Sequence, residues 1–154
     1  MATSNAATNY LERRLLNFLF KNNAAIGGVT FASPGDNIYV GLATAVSAAE
    51  TGSLTEASFS GYSRQQVTPT ASNNVGGWST IGADSTDTQT AKNENAIEFS
   101  AKADSGNVTI THVFIADAST SGNILFVGAL DASKTLAQND IFRINATNLS
   151  IELK

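Results

Sequence analysis

A chain of 154 residues with 42% apolar side chains has the size and composition of a globular protein with its own core. Only 14% of its residues are charged, against about 25% in typical proteins, and Ala, Ser, Thr, Asn and Gly fill the difference. A net charge of −4 leaves no basic footprint for nucleic acid, the lack of cysteine excludes disulfides and thiolate metal sites, and no apolar run reaches the roughly 20 residues that span a bilayer.

Residues 1–9 are small and polar and read as an extended arm. MATSNAATN lacks the basic-then-apolar order of a secretory signal, so cytoplasmic synthesis is expected. A helix follows over residues 10–21, with Asn9 as N-cap and Glu12 three residues on in a capping-box arrangement. Leu11, Leu15, Phe18 and Leu19 recur at helical spacing, and Leu16 and Phe20 widen the stripe. A helix of about 12 residues is marginal in isolation, so the stripe must bury itself, either on the chain's own sheets or on a neighbouring subunit. Asn22 and Asn23 supply the stop.

From residue 24 onward the pattern changes to period two and short apolar runs. Candidate strands are 28–31, 37–44, 62–69, 95–103, 108–116, 123–130, 140–145 and 149–153, separated by turn sequences such as Ser33-Pro34-Gly35-Asp36 and Asp104-Ser105-Gly106-Asn107. Ile97, Phe99 and Ala101 alternate with Glu98, Ser100 and Lys102, and Leu149, Ile151 and Leu153 alternate in the same way. The runs 108–116 and 123–130 are almost continuously apolar around Phe114 and Phe126, which fits a central hairpin covered on both faces. The expected fold is therefore all-β, an antiparallel sandwich or jelly-roll-like arrangement of about eight strands with one N-terminal amphipathic helix. The expected division is an arm and helix over 1–23 and a β domain over 24–154. Two Gly-, Ser- and Thr-rich stretches, 46–60 and 71–90, carry no firm element. Trp78 lies in the second, inside GGWSTIG, and either anchors that loop on the chain's own core or contacts a neighbour.

The chemistry of catalysis finds little support. His112 is the sole histidine and sits within a strand, no GxSxG elbow is present, and no serine or carboxylate stands in a recognisable relation to it. It reads as a structural residue hydrogen-bonded across a sheet. Asp84, Asp87 and Asp104 match no calcium loop and read as solvated acids, while Gly27-Gly28 and Gly76-Gly77 open no phosphate loop. The chain is expected to be no enzyme and to need no metal or cofactor. The candidate interface residues are Leu11, Leu15, Phe18, Leu19 and Trp78.

The succession NYLERRLLNFLF, IYVGLATA, GYSRQQVT, AIEFSA, VTITHVFIADASTSGNILFVGAL and KTLAQNDIFRINATNLSIELK resembles a group of small structural proteins of aquatic tailed bacteriophages, often labelled tail-fibre or structural proteins. Its most specific part is the Thr111-His112 strand, the Asp117 turn with Gly122-Asn123, and the Gly128-Ala129-Leu130 ending. The resemblance implies a virion component that assembles with itself and with other virion proteins such as a major capsid or tail protein. A small β domain with an arm and one amphipathic helix suits a capsid decoration (cement) protein. A tail or tail-fibre component, with an adhesin module that stacks a host surface glycan on Trp78 and Tyr62, is the alternative.

Overall fold

The computed structural model describes residues 9–21, 25–26, 29–30, 38–67, 77–78 and 89–153. In chain order the elements are α1 (Asn9–Lys21), β1 (Ala25–Ile26), β2 (Val29–Thr30), β3 (Ile38–Ala48), a 3-10 turn at Ala49–Thr51, β4 (Ser53–Glu56), β5 (Gln65–Val67), β6 (Gln89–Lys92), β7 (Ile97–Glu98), β8 (Val108–Ala116), β9 (Ile124–Leu136), β10 (Arg143–Ile144) and β11 (Ser150–Leu153). Every pairing among them is antiparallel, so the fold is all-β with one short helix. Contacts group the segments into two compact units. Unit 1 takes Met1–Asp36, Thr68–Ala96 and Asn145–Lys154, and unit 2 takes Asn37–Val67 and Ile97–Ile144.

In unit 1, α1 begins at Asn9 and ends at Lys21, within one residue of the sequence reading. Leu16 and Phe20, one turn apart, are the fully buried ones among its described side chains. β6 and β11 form a two-stranded ribbon in which Ala91 and Ile151 are paired and both buried. The turn before β11 is organised by a buried side chain, Asn93. Its Nδ2 donates to the carbonyls of Asn95 and Asn145 at 2.9 and 2.8 Å, and its Oδ1 accepts from the Leu149 N–H at 2.8 Å. Its backbone N–H donates to Leu149 O and its carbonyl accepts from Thr147 N. A buried amide is costly unless its donors and acceptors are met, and here all of them are. Thr147, at φ 67, takes the left-handed conformation that the turn requires.

Unit 2 is built on a five-stranded sheet ordered β4-β3-β8-β9, with β5 also paired to β3. Register sets Gly41 opposite Phe114 and Ala43 opposite His112 on one face, and Val40 opposite Ile115 and Leu42 opposite Val113 on the other. Phe114, Ala43 and Ala116 are buried on the first face and Val40, Leu42 and Ile115 on the second, so the centre of the sheet is covered on both sides, as its unbroken apolar run required. β9 runs to Leu136, six residues past the expected end at 130. Its register against β8 jumps between the pairs Ile110–Lys134 and His112–Ala129, a bulge that bends the strand. β7 and β10 form a separate ribbon, joined to an aromatic series: Phe142 meets Phe99 edge-on at 5.9 Å, Phe99 stacks on Tyr62 at 6.1 Å, and Tyr62 tilts against Phe59 at 5.3 Å.

β1, β4 and β6 were not foreseen, and the strands expected over 62–69 and 95–103 narrow to β5 and β7. SLTE and QTAK are short and polar and alternate weakly, so period two hides them. The arm at 1–8 and most of the stretch 71–90, with Asp84, Asp87, Gly27 and Gly28, lie outside the described residues.

Candidate assembly surfaces and the Arg64 cluster

The five interface candidates fall in unit 1. Leu15, Phe18 and Leu19 lie on α1 and are half-buried, while Leu11 belongs to the first turns of the helix. Among its described side chains the helix buries Leu16 and Phe20 most deeply and leaves Leu15, Phe18 and Leu19 partly in water. Trp78 is fully buried and packs on Phe20, ring centroids 4.4 Å apart and planes tilted by 55°. Its backbone bridges to Asn93. The indole therefore faces the helix within its own unit, and a sugar could reach it only if that unit opened.

His112 is half-buried on β8, its Nδ1 2.8 Å from the Thr111 hydroxyl. Asp104 takes the Lys102 ammonium at 3.1 Å and accepts from the Ser60 N–H at 3.0 Å. Lys102 is buried, and its Nζ also donates to the carbonyls of Asp104 and Ser105. The ammonium beside Asp104, more than the backbone contacts, holds that carboxyl below its usual range. Among the described residues no group of three or more His, Cys, Asp or Glu side chains is placed to hold a metal ion, and no helix is long and apolar enough to cross a membrane.

A densely bonded polar cluster in unit 2 joins residues that sequence spacing does not connect. Arg64 forks onto Glu56, Nε to Oε1 and Nη2 to Oε2, both at 2.8 Å. The Tyr62 hydroxyl donates to Glu56 Oε1 at 2.8 Å and accepts from the Leu42 N–H at 3.0 Å. The remaining arm of the guanidinium, Nη1, donates to the carbonyls of Ala118 and Ser121 at 2.8 and 2.7 Å. Its Cζ stands 5.0 Å from the centroid of the Phe114 ring, within cation–π range. Gly41 permits this packing, because a Cβ there would run into the Phe114 ring. Burial pushes the Glu56 carboxyl up, but hydrogen bonds from Arg64 and Tyr62 and the guanidinium charge outweigh it and set it below its ordinary value. Burial, with proton donation to Glu56, holds the Tyr62 hydroxyl well above its own. Beyond the guanidinium, Asp117 closes the base of the β8–β9 turn. Its Oδ1 accepts from the Asn123 N–H and its Oδ2 from Asn123 Nδ2, both at 2.7 Å.

Four of the five guanidinium N–H groups, both Glu56 oxygens and the Tyr62 hydroxyl bond one another or backbone, so the cluster ties strands and turn together. Tyr62, a candidate for stacking a sugar, instead has one face of its ring on Phe99. Leu125 and Ile141 are the large apolar side chains that unit 2 leaves exposed, and single exposed residues of this kind are ordinary.

No curated protein matches the chain. A family model described as Podophage GP4 fiber I protein gp80 matches residues 6–152. The agreement takes in α1, the ordered strands of both units and the Asp117 turn, which makes the protein a structural component of a podophage virion and a member of the Podophage GP4 fiber I protein gp80 family.

Proposed function

We propose that this protein is a fibre component of the virion and works by packing against copies of itself and against other virion proteins, without catalytic turnover. The family match over residues 6–152 carries this reading. The fibre description of that family favours the fibre alternative over capsid decoration, while the small β domain and amphipathic helix suit either. The half-buried apolar side chains Leu15, Phe18 and Leu19 of α1 are the contact residues proposed for a neighbouring copy or a tail protein.

Immunogold labelling of intact virions with antibody against this protein tests the assignment. Gold is expected along the tail fibres or at their attachment. Gold spread over the capsid shell would establish decoration in its place.

A further inference from the structure

The turn between β8 and β9 carries two residues in the left-handed region, Ser121 at φ 55 and Gly122 at φ 71. Glycine adopts that conformation at no steric cost, but serine does not, so something outside the turn must stabilise it. At Gly122 a Cβ would strike the Asp117 carboxylate and the Ala118 methyl. Two devices hold the segment. The Asp117–Asn123 bonds close its base and keep the strands in register. Arg64 holds its tip through the carbonyls of Ala118 and Ser121, 54 and 57 residues away in sequence.

We propose that Arg64 is a latch that sets the conformation of the tip at 118–122, and that Glu56 and Tyr62 set the latch. Four of the five guanidinium N–H groups are accounted for by the two Glu56 oxygens and the two turn carbonyls. The side chain is only 5% exposed and lies over Phe114. A planar fork fixed on one edge by a bidentate carboxylate presents its third arm in one direction, so the order of the tip follows from Glu56 on β4. The charged and titratable groups on this face of the sheet are Glu56, Tyr62, Arg64 and Asp117, with His112 next to Ala43 in the register that also pairs Ala43 with Glu56. The two devices separate: the base closure holds β8 to β9, and the latch orders only the hydroxyl-bearing tip.

Backbone 15N relaxation on the full chain tests this, with Arg64→Gln and Glu56→Gln compared with wild type. Wild-type order parameters at 119–122 are expected near 0.85, and those of Arg64→Gln below about 0.6. Glu56→Gln should fall between, and Phe114, Ile115 and Asn123 should stay rigid in all three. Unchanged tip order in a folded Arg64→Gln protein would overturn the proposal. So would a loss of order spread through β8 and β9, which would make Arg64 ordinary core. If Arg64→Gln does not fold, Arg64→Lys decides: a lysine reaches one partner at a time, so a tip as rigid as wild type in that variant refutes the latch and a loosened tip with rigid strands supports it.

Discussion

At the scale of single residues, Phe114 joins three parts of unit 2. It is buried, it abuts Gly41 across the strand pair, and it carries the Arg64 guanidinium on its face. Phe114→Ala should cost about 3–5 kcal/mol in a denaturant titration, a large share of the roughly 5–15 kcal/mol that keeps a domain folded. Gly41→Ala drives a methyl into the same ring and should cost about 1–3 kcal/mol, as overpacking does. Acid acts on this site through Glu56. Its folded-state value is depressed, so its contribution is complete above the unfolded carboxyl value and is lost as pH falls through the folded one. The stability gap between wild type and Glu56→Gln should be widest above the unfolded carboxyl value, about pH 4.3, and should narrow steadily as pH falls below it. A gap that held constant down to the acid transition would mean that Glu56 contributes by shape and not by charge.

Among elements, α1 shows what helical spacing can and cannot tell. The spacing located the helix to within a residue, and the burial of an apolar stripe follows from its width. Which rows of that stripe go deepest depends on the partner: Phe20 reaches Trp78, which lies far along the chain. Leu16→Ala should therefore destabilise unit 1 by about 2–5 kcal/mol, whereas Phe18→Ser should leave the fold standing and weaken assembly in sedimentation or virion-incorporation assays. β8 was legible to the residue because both its faces are apolar and turn residues flank it. β4 and β6 were not, since a short strand of small polar residues leaves no period to find. The Arg64 cluster was illegible for a different reason. Its parts are common polar residues whose meaning comes from pairing across β3, and neither Glu56 nor Ala118 lies at a spacing that marks a site. Asn93 was hidden in the same way, as its partners at 145 and 149 lie more than fifty residues on.

For the whole molecule, the chain's one tryptophan sits in unit 1, against the helix, while Tyr62 is stacked on Phe99 in unit 2. Trp78 is buried and Tyr62 has one face on Phe99, so a host-glycan array is expected to stay blank with the intact protein. Millimolar or tighter binding that disappears in Trp78→Ala would show that unit 1 opens to ligand. The same tryptophan reports on order of assembly. Unit 1 draws on three separated stretches, and its β6–β11 ribbon joins residues some sixty positions apart. On a translating ribosome β6 and Asn93 must therefore wait, unpaired, for β11 and the turn before it, while β3, β8 and β9 can already meet. Nascent chains stalled with residue 144 just outside the exit tunnel should lack the β6–β11 ribbon and carry a less well packed, red-shifted indole, and release of residues 145–153 should shift it blue. The subunit would then settle from β3, β8 and β9 outward, with the β6–β11 ribbon the last part to form.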